Sequence, residues 1–273
     1  MRIFWKIVVG ILITIIIGIT AYLGYLFYKN DFSFNKMFGI GVSDKLKEEK
    51  ELENLKELNI DFNTCDVEVK HSEDEKTKIL IYSDRDGTYS IDVDEEGIAK
   101  IVLNEKKLKF WKRLFNHKIS KVLVLLPKDY EGNLIVNGDV GDINVGDYQF
   151  SILNAKLNVG DIYVDGIKDA TLNLDVGSIK LKKAYSHFGI KLNTGDVRMK
   201  EATVLVDSSI EVDVGSVKIE ETNDIKIIGN VDVGKVNIKH NNEGALINLN
   251  IKTNIGDIDV NENKMVEEEK KTN

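Results

Sequence analysis

Cysteine and proline are almost absent from this chain of 273 residues, which contains one of each. The single cysteine, Cys65, cannot form an internal disulfide, so the fold must depend on a packed core. The single proline, Pro127, is typical of a chain rich in β-sheet, because proline removes a donor from the hydrogen-bond ladder of a central strand. These absences favour a disulfide-free β protein.

Basic residues are outnumbered, with 37 Lys and Arg against 45 Asp and Glu. An acidic surface repels a phosphate backbone, so nucleic acid is not an expected partner. The four histidines, His71, His117, His187 and His240, are far apart in the sequence. Neither they nor Cys65 show the spacing of a metal site or a thiol active site. We therefore expect no cofactor, no metal and no catalytic residue.

One long apolar run lies near the N-terminus. Residues 7–28, IVVGILITIIIGITAYLGYLFY, carry no charge and are long enough to cross a bilayer as one helix. Arg2 and Lys6 precede the run, which predicts that residues 1–6 stay in the cytoplasm and that the C-terminal domain is extracellular. A cleaved signal peptide is the alternative, but the run is longer than a usual signal h-region and no clear small-x-small cleavage site follows. We expect a single-pass cell-membrane protein with a transmembrane signal anchor.

A short phrase is repeated seven times between Asp139 and Val260. Each copy has Asn or Asp, a β-branched residue, glycine, one further residue that is Asp, Ser or Lys, and then Ile or Val. The repeat interval of about 20 residues is that of solenoids, in which each turn buries its apolar face on its neighbours. Glycine permits the positive φ of a corner, and the following Asp or Ser can accept from nearby backbone amides. The corner glycines are Gly141, Gly160, Gly177, Gly195, Gly215, Gly234 and Gly256.

Apolar residues alternate with polar ones on both sides of each glycine. Ile143 and Val145 follow the first glycine at two and four residues, and Leu153 and Ala155 mark a second strand in the next turn. This alternation predicts strands with one buried face. An earlier copy from Leu58 places Cys65 at the glycine position, as a small residue in the wall of the coil. The sequence predicts an all-β, single-stranded parallel β-helix (β-solenoid) of about ten turns over residues 57–260, preceded by one transmembrane helix.

Two charged segments flank the predicted solenoid. Residues 29–56 are predicted to form a stalk or linker, with a stretch over residues 44–58 that could be helical. Residues 261–273 are predicted to form a disordered charged tail.

One segment departs from the acidic background. Residues 106–121, KKLKFWKRLFNHKISK, contain seven Lys or Arg, no acid, and interleaved aromatic residues. That composition suits anionic phospholipid headgroups or anionic wall polymers. The alternative is an inserted loop whose aromatic residues pack on the coil end while its lysines are solvated. The predicted contact residues are Lys109, Phe110, Trp111, Lys112, Arg113 and Phe115.

The glycine-aspartate corners raise the question of a calcium site, because stacked aspartates bind calcium in some β-rolls. Those rolls have a shorter, nine-residue repeat, and here Ser178, Ser216 and Lys235 interrupt the line of carboxylates. Polysaccharide cleavage would require paired carboxylates in one groove. Turns or a polar outer face account for every carboxylate, so we favour turn chemistry.

The order of these elements resembles the bacterial β-strand-repeat family called putative adhesins, a domain of unknown function with Gly-Asp-Ile repeats, in its membrane-anchored form. The resemblance rests on the LNID turn at Leu58, the strand ending in VLVLLP, the phrase YEGNLIVNGDVGDINV and the later glycine-aspartate turns, and it covers residues 57–260. It implies a Gram-positive cell-envelope setting and supplies no catalytic residues. The chain departs from the family in the basic aromatic segment and at three turns.

These observations lead us to expect a non-enzymatic extracytoplasmic β-helix interaction module, acting as an adhesin or an envelope-stress accessory protein. Its expected partners are the membrane, an anionic wall polymer, lipid headgroups, another envelope protein, or a second copy of itself. The alternatives are a self-assembling scaffold of stacked β-helices and a polysaccharide-active enzyme.

Overall fold

The computed structural model describes residues 42–106, 118–148 and 150–261, and these contain strands and turns but no helix. The predicted membrane span at residues 7–28 lies outside this part of the chain, as do residues 262–273 of the predicted tail. No helix of the described part is long and apolar enough to cross a membrane. The strands are β1 (Leu46–Leu52), β2 (Glu57–His71), β3 (Thr77–Tyr82), β4 (Gly87–Val93), β5 (Ile98–Glu105), β6 (Ser120–Leu126), β7 (Asn133–Val140), β8 (Ile143–Asp147), β9 (Ile152–Val159), β10 (Ile162–Val176), β11 (Ile179–Thr194), β12 (Val197–Val204), β13 (Ser208–Val214), β14 (Val217–Thr222), β15 (Lys226–Val233), β16 (Val236–Ile238), β17 (Asn248–Ile255) and β18 (Ile258–Val260).

Most of these strands stack in parallel as a solenoid with two faces. Each turn, called a coil below, contributes one strand to face A before its corner and one to face B after it. Face A has the order β5, β2, β7, β9, β10, β11, β13, β17, β15. Face B has the order β6, β2, β8, β10, β11, β12, β14, β18, β16. The coils, numbered along this stack, are coil 1 (98–126), coil 2 (57–71), coil 3 (133–147), coil 4 (152–167), coil 5 (170–184), coil 6 (187–204), coil 7 (208–222), coil 8 (248–260) and coil 9 (226–238).

Glycine forms the corner in coils 3 to 9, where its φ lies between 135° and 148°. The N–H of Gly177 donates to Thr194 O of the next coil at 3.0 Å. A Cβ atom built on Gly177 would lie 1.6 Å from the carbonyl oxygen of Gly160 in the preceding coil. Any other residue would therefore be strained and would also collide with backbone.

The residue after each corner glycine joins its coil to the next one. The N–H of Asp161 donates to Asp142 Oδ1 at 3.0 Å, and the N–H of Ser178 donates to Asp161 Oδ1 at 2.8 Å. The same bond joins Lys235 in coil 9 to Asp257 in coil 8, at 2.8 Å. Because coil 9 is the last coil of the described stack, no amide of a further coil needs an acceptor at position 235, and a lysine side chain, which can only donate, is compatible with it. The lysine that interrupts the row of carboxylates thus marks an end of the solenoid.

Inward-facing residues fill the space between the faces. The position two residues after the corner glycine is 0% exposed in coils 3 to 8. Burying each of these side chains contributes roughly 2 kcal/mol relative to exposure. This confirms the predicted β-solenoid and its buried face. The residues of this row are Ile143, Ile162, Ile179, Val197, Val217 and Ile258.

The stacking order does not follow the chain at either end. Coil 2 precedes coil 1 in sequence but lies between coils 1 and 3. Coil 8 is last in sequence but lies between coils 7 and 9. The described residues form nine coils rather than the predicted ten or so, because some runs that we expected to form turns are antiparallel strands instead.

The antiparallel strands cover coil 1. Strand β4 pairs with β5 on face A, β3 pairs with β6 on face B, and β1 pairs with β3. A tight turn sets the β4–β5 hairpin: Asp94 Oδ1 accepts from the N–H of Ile98 at 2.9 Å, and Gly97 has a φ of 85°. Residues 46–52, which the sequence placed in a linker that could be helical, form β1, because their pairing with β3 outweighs the helical propensity of Glu and Lys.

The outer ladder of Asn and Asp agrees with this stacking order. From coil 2 to coil 9 the position two residues before the corner glycine, or its equivalent, alternates strictly between Asn and Asp. The ladder asparagines of coils 4, 6 and 8 each donate to the aspartate of the coil before, as in Asn254 Nδ2 to Asp213 Oδ1 at 3.1 Å. If the coils stacked in chain order, Asp213 and Asp232 would lie next to each other, and like charges on neighbouring strands are destabilising. The ladder in spatial order is Asn63, Asp139, Asn158, Asp175, Asn193, Asp213, Asn254 and Asp232.

Candidate functional site

The predicted contact residues Lys109, Phe110, Trp111, Lys112, Arg113 and Phe115 lie outside the part of the chain that the structure describes. The structure describes how the basic aromatic segment is attached. It leaves the solenoid after β5, at Glu105 and Lys106, and returns at Lys118, ahead of β6.

The segment is inserted at the corner of coil 1. In neighbouring coil 2 only Asn63 and Thr64 separate Phe62 from Cys65. The register partners of Phe62 and Cys65 in coil 1 are Leu103 and Ser120, so residues 104–119 take the place of a two-residue corner. Insertions in a repeat protein map to loops on one face, which is often the binding face.

A buried polar network joins the two ends of this insertion. Glu105, whose side chain is 3% exposed, accepts from Arg85 Nη1 at 2.7 Å. Arg85 Nε donates to the carbonyl oxygen of Lys118 at 3.2 Å, on the other side of the segment. Ser120 lies within hydrogen-bond distance of Glu105, and its hydroxyl is 2.6 Å from that of Ser83. Arg85 therefore bridges the outgoing and returning strands.

This network fixes the corner firmly. A buried carboxylate is expensive to desolvate unless it is paired and hydrogen-bonded. Glu105 has both kinds of partner, and removing one partner of such a pair costs about 3–5 kcal/mol.

The first described residues, 42–44, lie at the same corner. The N–H of Ser43 donates to Ile119 O at 2.9 Å, and Val42 forms an isolated bridge with Ile119. Lys118 Nζ lies 2.5 Å from Asp44 Oδ1, and this hydrogen bond holds the pKa of Asp44 below its usual value. Residues 42–44 thus lie against Lys118 and Ile119, at the returning end of the basic aromatic segment.

Cys65 lies in the wall of coil 2, as the sequence predicts. Its side chain is fully buried and its thiol is 3.2 Å from Asp66 O. Burial raises the pKa of this thiol well above its usual value. A protonated, inaccessible thiol cannot act as a nucleophile.

The buried carboxylates do not form a catalytic pair. Glu105 lies in coil 1 and Asp161, which is 1% exposed, lies in coil 4. Three strand spacings of ~4.8 Å separate these coils by about 14 Å. Glycosidase carboxylates lie roughly 5–9.5 Å apart. Within residues 42–106, 118–148 and 150–261, no group of three or more His, Cys, Asp or Glu could hold a metal ion.

Sequence reasoning missed the network around Glu105, although the signal was present. The inward positions of β5 are Ala99, Ile101 and Leu103, and continued alternation puts Glu105 inward as well. Ser120 is likewise at an inward-facing position, in β6. A carboxylate at an inward position next to an inward serine predicts a buried polar cluster that needs a cation. Nothing in the local sequence identifies Arg85, which reaches the cluster from the loop after β3.

Residues 55–273 match the family described as Toastrack DUF4097. The chain belongs to this family. Toastrack domains are β-solenoids, in agreement with the stacked coils described above. No curated protein matches this Toastrack chain.

Several solved structures are similar to it. A putative adhesin from Bacteroides fragilis is 18% identical, with a TM-score of 0.44, over 81% of this chain and 100% of that one. A putative lipid binding protein from Parabacteroides distasonis is 16% identical, with a TM-score of 0.43, over 82% of this chain and 99% of that one. A putative cell adhesion protein from Clostridium sporogenes is 15% identical, with a TM-score of 0.32, over 80% of this chain and 99% of that one. The family assignment rests on the sequence match alone.

Proposed function

We propose that this Toastrack protein is a non-enzymatic, membrane-anchored interaction module on the outside of the bacterial cell, acting as an adhesin or an envelope-stress accessory protein. Its contact surface is the basic aromatic segment, residues 106–121. One observation carries the proposal: the segment replaces the corner of coil 1, and Arg85 and Glu105 clamp its base. A repeat protein that departs from its repeat at one rigidly supported corner presents that corner for binding.

The composition of the segment selects the partner. Each Lys or Arg close to an anionic surface contributes about 1 kcal/mol, and Trp and Phe insert at the boundary between headgroups and acyl chains. Residues 42–44, which follow the predicted span, lie at the same corner. This basic and aromatic composition favours anionic phospholipid headgroups or anionic wall polymers as ligands.

A filament of stacked solenoids is less well supported. Stacking end to end would require both ends to be open, and antiparallel strands β3 and β4 cover coil 1.

The test is binding of residues 31–273 to anionic liposomes, zwitterionic liposomes and isolated cell wall. The test variant carries Lys109→Ala, Trp111→Ala, Lys112→Ala and Arg113→Ala. A matched control removes three charges elsewhere on the surface, by Lys182→Ala, Arg198→Ala and Lys200→Ala in β11 and β12. We expect the test variant to lose at least tenfold in affinity for an anionic surface and the control to lose little.

Equal losses in both variants would show that overall charge, and not the segment, determines binding. Absence of binding by the unsubstituted protein to all three surfaces would contradict the proposal and direct the search to a protein partner.

A further inference from the structure

The outward side of face A is rich in asparagine across coils 4 to 8. Asparagine and glycine are both disfavoured in strands, so their presence at outward strand positions calls for a reason. The row nearest the corners has one, because it is the ladder: Asn158, Asn193 and Asn254 each donate to an aspartate of the coil before. The fold itself uses these amides.

A second row, four residues farther from the corner glycines, has no such use in the fold. Its members are register partners on adjacent strands, and all are exposed or partly exposed. Within residues 42–106, 118–148 and 150–261, no hydrogen bond joins a side chain of this row to another residue. Its amides and hydroxyls therefore remain available to a ligand. The row, called the neutral row below, consists of Asn154, Thr171, Gly189, Ser209 and Asn250.

Gly189, in the middle of the neutral row, is not required by the fold. It does not have the positive φ of the corner glycines. A Cβ atom built on it would meet no heavy atom within 4 Å beyond its chain neighbours, whereas a Cβ on Gly177 would collide with backbone. Thr171 and Ser209 lie on either side of it, each one strand spacing away. Glycine inside a strand often marks a place where a ligand approaches the backbone closely.

The charged groups beside the middle of the neutral row pair with one another. On one side His187 Nδ1 lies 3.0 Å from Asp169 Oδ1, and on the other Lys191 Nζ lies 3.4 Å from Glu211 Oε2. Between these pairs the row offers only amide and hydroxyl groups, which both donate and accept hydrogen bonds. This arrangement is complementary to a ligand that is uncharged and rich in hydroxyl groups.

We propose that the neutral row binds one strand of a linear, uncharged polysaccharide lying along the axis of the rod. A sugar ring lies over Gly189, where no side chain holds it away from the backbone. Its hydroxyl groups exchange hydrogen bonds with the hydroxyls of Thr171 and Ser209. Neighbouring sugars meet the amides of Asn154 and Asn250. The row repeats at each strand spacing of ~4.8 Å, so its five members span about 19 Å and match a ligand that also repeats along its length.

Other occupants fit this surface less well. A peptide joins a sheet through the backbone groups of an edge strand, and the strands of coils 5 to 7 already pair on both sides. The sheet of a second copy would pack on it through apolar side chains, which the neutral row lacks. A phosphate-rich polymer would require cations, and the row has none. The row also has no carboxylate, so the proposal is binding and not cleavage.

The test is binding of the full chain, in a detergent without a sugar headgroup, to fluorescent linear hexasaccharides of glucose, N-acetylglucosamine, mannose and galactose. Gly189→Val puts a branched side chain where the sugar ring lies, and we expect affinity to fall by about tenfold or more, equivalent to 1.4 kcal/mol or more. Valine is favoured in strands and its Cβ has open space here, so this variant should unfold at the same temperature as the unsubstituted protein or a higher one. Loss of binding then cannot be ascribed to unfolding.

Removal of single hydroxyl groups supplies a second readout. Thr171→Val and Ser209→Ala each delete one hydrogen-bonding group and should weaken binding roughly two- to tenfold. Asn144→Val is the matched control, because Asn144 is an exposed residue of β8 on the outward side of face B. It should leave sugar binding unchanged.

Two results would overturn the proposal. The first is that the unsubstituted protein binds none of the four hexasaccharides. The second is binding that survives both Gly189→Val and Thr171→Val, which would place the contact elsewhere. The envelope contact proposed above is separate, so Gly189→Val should bind anionic liposomes as the unsubstituted protein does. A protein that binds liposomes but no sugar would contradict the neutral row alone, and the reverse result would contradict the basic aromatic segment alone.

Discussion

The two ends of the solenoid share the same stacking arrangement but differ in whether further strands cover the outermost coil. At each end the outermost coil lies beyond the coil that chain order would put there, with residues 98–126 outside 57–71 and residues 226–238 outside 248–260. At the first end the chain adds strands β1, β3 and β4, and the inward residue Val122 of coil 1 is 0% exposed. At the last end residues 42–106, 118–148 and 150–261 add no such strand, and Val236 in the same row is 45% exposed. Inserting a coil between two others fixes that coil, but covering the outermost one requires additional strands.

This contrast implies a gradient of local stability along the rod. Coils in the middle have backbone partners on both sides, coil 1 is supported by antiparallel strands, and coil 9 has a partner on one side only. Regions with few buried apolar contacts open locally at a low free energy. Substitutions of the same kind should therefore cost more in the middle and at the first end than at coil 9.

The largest difference is expected at the corner glycines. Gly177→Ala places a Cβ 1.6 Å from a backbone oxygen of coil 4, while coil 6 holds the corner from the other side. We expect a loss of more than about 4 kcal/mol in the free energy of unfolding, or failure to fold. Gly234→Ala has a similar clash, at 1.8 Å from Gly256 O, but coil 9 can separate from the stack. Its cost in urea unfolding should be smaller, and equal costs would contradict the gradient.

A second comparison concerns ion pairs at the two ends. Glu105→Gln leaves Arg85 without its buried partner and should cost about 3 kcal/mol. Glu243→Gln, near coil 9, removes a carboxylate whose side chain is 75% exposed and 3.8 Å from Lys226 Nζ. Exposed pairs of this kind contribute roughly 0–1 kcal/mol. Thermal unfolding of both variants distinguishes the cases, and a loss at Glu243 as large as that at Glu105 would show that the last end is closed.

The same substitution in one inward row sharpens the comparison. Val122 in coil 1 and Val236 in coil 9 occupy equivalent positions. Val122→Ala should cost about 2 kcal/mol, because it leaves a cavity in a closed core. Val236→Ala should cost less than about 1 kcal/mol in the monomer, because water already reaches this side chain. Urea unfolding at low protein concentration provides the measurement.

The smallest effect concerns the row of residues that directly follow the corner glycines. Burial beneath coil 5 raises the pKa of Asp161. Lys235 occupies the same position in coil 9, where no described coil lies beyond it. The folded protein then binds this proton more tightly than the unfolded chain, so Asp161 makes stability fall as pH rises above about 3.8 through the raised pKa. Asp161→Asn should remove that loss, so the variant should gain stability relative to the unsubstituted protein at pH 7 and lose this gain below pH 3.8. An equal change at both pH values would contradict this cause.

Much of the solenoid could be predicted from the sequence, because its pattern is local. Gly177, the alternation at Ile179 and Leu181, and the strand before each corner depend on neighbours within one coil. The stacking order depends on which coils meet, and every coil offers nearly the same inward row. Two local signals nevertheless indicated the stacking order. The first is Lys235, a residue that cannot accept a hydrogen bond from a further coil. The second is the Asn and Asp ladder, which alternates strictly only when Asn254 lies between Asp213 and Asp232.

The contact residues at 109–115 remain a prediction, and less of their structural setting could be predicted. Its composition singled out residues 106–121, but the clamp at its base joins Arg85, Glu105 and Lys118 from different strands and loops. Strand β1 was missed for a similar reason, since its Glu and Lys residues suit a helix or a linker and only the edge of β3 makes them a strand. Contacts between segments distant in sequence leave little local trace.

The order of the last coils can be tested most directly by disulfide cross-linking. Glu211 is the register partner of Lys252, which is in turn the partner of Asn230. Neighbouring strands lie ~4.8 Å apart, whereas Glu211 and Asn230 are two strands apart, about 10 Å, beyond the reach of a disulfide. The account predicts that the pair Glu211→Cys and Lys252→Cys forms a disulfide under mild oxidation while Glu211→Cys and Asn230→Cys does not, with the buried Cys65 unaffected. The opposite result would place coil 9 directly on coil 7 and contradict the inserted coil on which the open end depends.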